Sequence, residues 1–236
     1  MGLEVKDLQK SYNGIDIFRD FSLSFPEDTI TCILGPSGCG KTTLLNIIGK
    51  ITPFESGQLI GFEDRHFSYI FQEARLLPWK TVQGNIEFVM SNSLSAHERH
   101  EQASGFIRLV DLEGFAHYFP SQLSGGMRQR VSIARAFACH SDIILMDEPL
   151  KGLDLSLKHS MIKWFSQIWK ADRRTVIFVT HDVDEALLLG KEIVVFSRPP
   201  VRIVTHVKID EPAENRSLDN YMFREVKQVL VNALQI

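Results

Sequence analysis

The residues able to do chemistry begin with Gly35-Pro36-Ser37-Gly38-Cys39-Gly40-Lys41-Thr42, which match the pattern G-x-x-x-x-G-K-[ST] at every fixed position. The chemistry is phosphate binding. Glycines let the main chain wrap around phosphate oxygens where a Cβ would intrude. Backbone N–H groups and the positive end of a following helix supply the field. Lys41 adds a point charge for the β- and γ-phosphates, the Thr42 hydroxyl is placed to sit on Mg²⁺, and Thr43 continues the first helical turn.

Further along, Asp142-Ile143-Ile144-Leu145-Met146-Asp147-Glu148-Pro149 carries two adjacent carboxylates after four apolar residues. An acid at the carboxyl end of a core strand is where Mg²⁺ is held in phosphate-loop NTPases, so Asp147 is a metal-ligand candidate. Glu148 is then placed to polarise a water as general base. His181 ends another β-like run, Arg174 to Thr180. An isolated histidine is usually structural, but at a strand end beside a nucleotide loop it reads better as a γ-phosphate sensor. Ser124, Gly125 and Gly126 stand at a helix start and form a second anion-binding terminus. Tyr12 is open to two readings: a platform for an adenine ring, or a turn aromatic covering a sheet edge.

The elements that must position these groups follow from patterning. Thr29 to Leu34 is β-branched and apolar, as a buried strand is, and Thr43 to Gly49 reads as a helix stopped by glycine. Leu3 to Leu8 and Ile15 to Phe25 read as strands, and their direct succession before the loop suggests an antiparallel β element beside the nucleotide core. Short β-like segments run from Gln58 to Phe71. Residues 81–120 turn helical, with Thr81 as N-cap for Val82 to Met90, and Ser95 with Glu98 as a capping box for Ala96 to Val110. A helix from Met127 to Cys139, one from Leu155 to Asp172, strands at Glu192 to Ser197 and Val201 to Ile209, and a helix from about Leu218 to Leu234 complete the chain. The last is read as packing through Leu218, Tyr221, Met222, Val229, Leu230 and Ala233. Leu76, Leu77 and Trp79, beside Pro78, are either an exposed patch for a partner or a loop folded back on the core.

The bulk numbers exclude several classes. Lys and Arg number 26 against 29 Asp and Glu, a formal charge of −3, so nucleic acid is not an expected partner. No apolar run approaches membrane-spanning length, and Met1 to Asp7 has no signal-like core. Cys32, Cys39 and Cys139 have neither disulfide nor zinc spacing. A cytosolic location is expected, with any membrane role exercised through a bound partner.

Taken together, Leu123-Ser124-Gly125-Gly126 with Met127-Arg128-Gln129-Arg130, the phosphate loop, Tyr12, Gln72, Asp147-Glu148, Gly152-Leu153-Asp154 and His181, all in order, resemble the nucleotide-binding subunit of ABC transporters over nearly the whole chain. The resemblance implies an α/β P-loop NTPase core with an antiparallel β subdomain and an all-helical subdomain, within a single domain of residues 1–236, the helical part inserted at about 73–140. It implies ATP and Mg²⁺ as ligands, ATP hydrolysis, and a head-to-tail dimer in which the phosphate loop (Gly35, Pro36, Ser37, Gly38, Cys39, Gly40, Lys41, Thr42 and Thr43) faces the partner's copy of the Ser124-Gly125-Gly126 segment. Gln72 would contact Mg²⁺ or water, and the Leu76–Trp79 neighbourhood would receive the coupling helix of a membrane permease. Phe71 to Trp79 and Thr180 to Ala186 are similar to importers of the nitrate, sulfonate and taurine group, and riboflavin- or thiamine-precursor importers look alike. Such importers also use an extracytoplasmic substrate-binding protein, which places the chain on the cytoplasmic face of the membrane. A soluble or regulatory ABC ATPase without transport is the competing reading. Two departures stand out: a short stretch between Gly57 and Gln72, and Lys151 where a small residue is common.

Overall fold

The computed structural model describes residues 2–90 and 94–235. Nine strands form two sheets among the described residues: β1 (Leu3–Tyr12), β2 (Ile15–Phe25), β3 (Ile30–Leu34), β4 (Ser56–Ile60), β5 (Phe67–Ile70), β6 (Ile143–Asp147), β7 (Thr175–Thr180), β8 (Glu192–Phe196) and β9 (Ile203–Lys208). The helices are α1 (Lys41–Ile48), α2 (Val82–Glu87), α3 (Ala96–Leu109), α4 (Gly125–Ala138), α5 (Leu155–Ala171), α6 (Val183–Leu189) and α7 (Tyr221–Leu234).

The larger sheet has the order β5-β6-β7-β3-β8-β9, parallel except for the antiparallel edge strand β9. Its central strands are buried throughout and mostly apolar, because both faces are covered. Alternate side chains divide between two cores. Ile144, Met146, Val176, Phe178, Cys32 and Leu34 pack toward α4, α5, α6 and α7. Ile143, Leu145, Ile177, Val179 and Ile33 pack toward α1 and the small sheet. That small sheet is antiparallel, in the order β2-β1-β4. The hairpin read from sequence is therefore present, but β3 leaves it for the parallel sheet, and β4 supplies its third strand. A buried run flanked by a glycine loop needs neighbours on both edges, which only the larger sheet offers β3.

A third core gathers Val82, Ile86, Ala103, Ile107, Val131 and Ala134 from α2, α3 and α4. The caps expected for this region are present: Thr81 Oγ1 accepts from Gly84 N at 3.1 Å, and Ser95 with Glu98 closes a capping box. Each contributes about 1 kcal/mol to the start of its helix. α4 belongs to two cores at once, since Ile133, Ala136 and Phe137 face the parallel sheet. The helical region is thereby packed onto the sheet that carries the glycine loop.

Two expectations change. α6, capped by Asp182 Oδ1 on Asp184 N and Glu185 N, was not read from the sequence. α7 packs through Phe223, Leu230 and Ala233, whereas Tyr221, Met222 and Val229 are exposed. The buried stripe is rotated from the one assigned by pattern, because α7 lies against α6, β8 and β9 and its apolar contacts with the core there are made by Phe223, Val226, Leu230, Ala233 and Leu234.

Candidate nucleotide site

Strand register brings the chemistry together. Leu34, the last residue before the glycine loop, pairs with Thr180, the residue before His181. Asp147 pairs with Val179, and Ile70, two residues before Gln72, pairs with Met146. The carboxyl ends of β5, β6, β7 and β3 thus line one edge with Gln72, Asp147, Glu148, His181 and Gly35, the edge where parallel sheets bind ligands.

The loop is built by close approach. Gly40 has φ 109°, and a Cβ there would lie 2.6 Å from Ile17 Cγ2 of β2 and 3.2 Å from the Phe18 ring. The β1–β2 hairpin therefore rests on the loop, and any side chain at position 40 would push the two apart. Leu44 N donates to Gly40 O at 2.9 Å, opening α1 directly from the loop. Lys41 is buried, its Nζ donating to Gly35 O at 2.7 Å and Pro36 O at 3.1 Å. The ammonium is thus held inside the curve where a phosphate would lie. Cys39 is also buried, and burial pushes its thiol pKa up, outweighing the Lys41 charge, so the thiol is neutral.

Thr42 Oγ1 donates to Asp147 Oδ1 at 3.0 Å. This bond joins the end of the loop to the end of β6. Burial raises the pKa of Asp147, opposed by the Thr42 hydrogen bond and reinforced by the charge of Glu148. A hydroxyl and a buried carboxylate, both hard oxygen donors, form the pair that suits Mg²⁺.

Glu148 sits at φ 43°, a left-handed conformation rare outside glycine, with its N–H donating to Val179 O at 2.9 Å. Strain of this kind persists when the surroundings over-determine it, and it concentrates at functional sites. His181 Nδ1 lies 3.4 Å from Glu148 Oε1, and Lys151 Nζ 2.6 Å from Oε2. Burial raises the Glu148 pKa, but Lys151 and His181 outweigh it, and the net shift is downward. The carboxylate is therefore ionised, as a base must be.

The remaining sequence-predicted residues are not in contact with this cluster. Gln72 is exposed, and among the described residues no hydrogen bond ties it to Thr42 or Asp147. Tyr12 ends β1 and keeps 45% of its surface exposed, with Lys10 Nζ 4.8 Å from its ring centroid. Ser124 caps α4 through Met127 N at 3.2 Å, and no hydrogen bond joins Ser124, Gly125 or Gly126 to the glycine loop among the described residues. Gly126 also has a packing reason: a Cβ there would come within 2.5 Å of Leu157 Cδ2 in α5.

Several supporting residues were invisible in the sequence. Lys158 Nζ of α5 reaches Asp182 Oδ2 at 2.8 Å and Glu185 Oε1 at 2.7 Å, while Thr180 Oγ1 donates to Glu185 Oε2 at 2.6 Å. This network clamps the residues on either side of His181. Arg135 of α4 donates to Arg75 O at 3.1 Å and Ala74 O at 3.3 Å, holding the segment after Gln72 to that helix. Fully buried Asn85 accepts from Leu77 N and donates to Leu77 O, Lys80 O and Thr81 O. The only advance signal was for Asp182, a capping residue type at a strand-to-helix junction.

A parallel sheet with a glycine loop opening a helix, a hydroxyl–carboxylate pair and a strand-end glutamate defines a P-loop nucleoside triphosphatase. The ABC transporter family model matches residues 18–151. Over 99% of its length the chain is 38% identical to an ABC transporter ATP-binding protein of Methanocaldococcus jannaschii, covering 91% of that protein. It is 37% identical to the taurine import ATP-binding protein TauB of Yersinia pestis, over 88% of this chain and 84% of TauB. It is 34% identical to the nitrate import ATP-binding protein NrtD of Synechocystis, over 95% and 88%. Among solved structures it is similar to the dimeric ABC transporter cassette MJ0796, with TM-score 0.77 and 30% identity over 89% of this chain and 99% of that one. The same cassette solved after hydrolysis, with ADP and Pi bound, gives TM-score 0.75 at 29% identity. The chain belongs to the ABC transporter family and is an ATP-binding, ATP-hydrolysing cassette.

Proposed function

We propose that this chain is the subunit that energises a membrane importer, for a small anion such as nitrate, a sulfonate or taurine, and that it works as a head-to-tail pair on the cytoplasmic face of a permease. The observation that carries the catalytic part is the Thr42–Asp147 hydrogen bond, which locks the phosphate loop beside Glu148 and His181. In this reading Gly35 to Thr43 hold the triphosphate, Lys41 faces its β- and γ-phosphates, and Tyr12 stacks on the adenine. Thr42 and Asp147, with Gln72 swinging in, hold Mg²⁺, which supplies charge neutralisation at the phosphates. Glu148 accepts the proton of the attacking water, and His181 donates to the γ-phosphate. Ser124, Gly125 and Gly126 stand apart from the loop of their own chain, which supports their serving the loop of a second copy.

The partner surface has a physical candidate. Trp79 and Phe88 are 70% and 62% exposed, with Lys80 Nζ 5.5 Å from the Phe88 ring centroid. Tyr118, whose carbonyl accepts from Val82 N, is also exposed. Large aromatics left in water on a helical region favour a protein partner, and Arg135 gives this surface a path to Gln72. No helix among the described residues is long and apolar enough to cross a membrane. The test is affinity purification of the tagged chain from detergent-solubilised membranes of its host, followed by reconstitution in vesicles. A stoichiometric polytopic membrane protein, and ATPase activity stimulated by taurine, nitrate or an alkylsulfonate with its binding protein, are expected. Recovery of an active dimer with no membrane subunit would overturn the transport reading.

A further inference from the structure

The exposed side chain of Lys151 ends on the candidate general base, and its geometry is specific. The turn Glu148-Pro149-Leu150-Lys151 is closed by Lys151 N donating to Glu148 O at 3.2 Å, and Gly152 follows at φ 78°. This backbone carries the Lys151 side chain back over the glutamate that begins the turn. The ammonium lies 2.6 Å from Oε2, an ion pair that helps hold the Glu148 carboxyl below its ordinary pKa. Oε2 is sealed from solvent, while the Glu148 side chain as a whole keeps 13% of its surface exposed. The other oxygen, Oε1, is the one beside His181 Nδ1. The two side chains thus divide the carboxylate between them, one at each oxygen.

We infer that Lys151 is a positioning residue for hydrolysis: it anchors Oε2 and so commits Oε1, on the His181 side, to the attacking water. The inference rests on the reading of Glu148 as base. In the step it serves, one water proton passes to Oε1, the water oxygen bonds to the γ-phosphorus, and the bond from that phosphorus to the ADP oxygen breaks. A glutamate side chain has three torsions, and a carboxylate without an anchor can turn either oxygen or neither toward the water. Orientation of a reacting group is worth large factors in rate while leaving substrate affinity alone. The contact is no simple block, because it occupies Oε2 and leaves Oε1 on the His181 side. A long cationic side chain is compatible with this turn because about half of it stays in solvent while its ammonium meets Oε2. Asp147, the other acid beside Glu148, is engaged by Thr42.

The test is steady-state ATPase kinetics of the intact dimeric protein with Lys151→Met, Lys151→Arg, Glu148→Gln and the Lys151→Met/Glu148→Gln double variant. Lys151 is 45% exposed on its side chain, so Lys151→Met is expected to fold, which an unchanged melting temperature verifies. The expected result is a kcat about tenfold lower for Lys151→Met with KM for ATP unchanged. Lys151→Arg should recover most of that loss, and Lys151→Met should add nothing in the Glu148→Gln background. A Lys151→Met kcat equal to or above the starting protein, or a loss carried wholly by KM, would overturn the inference. If Glu148→Gln itself hydrolyses ATP normally, the base assignment fails instead, and the two failures are told apart in one experiment.

Discussion

Replacing Lys41 with methionine isolates the charge of the phosphate loop. Methionine fills about the same space as the lysine stem, so the buried site is not emptied and the loop keeps its packing against Phe18 and Phe196. What is lost is one ammonium that now bridges Gly35 O and Pro36 O from inside the loop. When a triphosphate occupies the curve, that ammonium becomes a charge-assisted donor to phosphate oxygen. Hydrogen bonds to charged groups contribute roughly 1.5–3 kcal/mol, and each 1.4 kcal/mol is about tenfold in Kd. Lys41→Met should therefore weaken ATP binding by roughly 10- to 150-fold. With the lysine at the β- and γ-phosphates, as proposed, the loss should be larger for ATP than for ADP. Isothermal titration calorimetry with both nucleotides measures each number directly. Equal affinities for the variant and the starting protein, with the fold intact by circular dichroism, would refute the placement of Lys41 at the phosphates.

Other consequences follow from packing and charge. Asn85→Ala removes four hydrogen bonds that tie residues 77–81 to α2. It should cost about 1–3 kcal/mol in melting experiments and weaken association with the membrane partner while leaving the ATP Kd unchanged. Gly40→Ala meets both a positive φ and the Ile17 methyl at 2.6 Å, so it should abolish ATP binding and lower stability by about 1–3 kcal/mol. Burial raises the Asp182 pKa, but its bond and ion pair with Lys158 bring it below the ordinary carboxylate value. A carboxyl depressed in the folded state stabilises above its unfolded pKa, near ~3.9, and that stability is lost as pH falls. The melting temperature of Lys158→Met should consequently fall less steeply below about pH 4 than that of the starting protein; parallel curves would show that the network does not couple to folding.

Much of this was legible in advance because it depends on local chemistry. The apolar run before Gly35 dictates a strand buried on both faces, and a serine or threonine before a helical pattern dictates a cap; Thr81, Ser95 and Ser124 all cap. The order of strands is a different kind of fact. That β3 leaves the hairpin, and that β7 lies between it and β6, depends on crossovers that no single segment encodes. α6 is only seven residues long, too short for periodicity to separate it from loop. On α7 the apolar residues allow more than one stripe, and contacts with α6, β8 and β9 select the one through Phe223. Within the site, residue types announced Lys41, Thr42, Asp147 and Glu148. The pairing of Lys151 with Glu148, and the clamp of Lys158 on Asp182 and Glu185, arise from side chains meeting across a turn and between elements, and appear only in three dimensions.

The central claim is that one chain holds half of an ATP site whose chemistry needs Glu148 and whose closure needs a second copy. Sedimentation of Glu148→Gln with and without ATP, beside its phosphate-release rate, tests both parts at once. A stable dimer with ATP, a monomer without it, and hydrolysis reduced about 100- to 10,000-fold are expected, with the dimer lost again on Ser124→Arg. Hydrolysis at the normal rate, or a monomer that persists at saturating ATP, would contradict it.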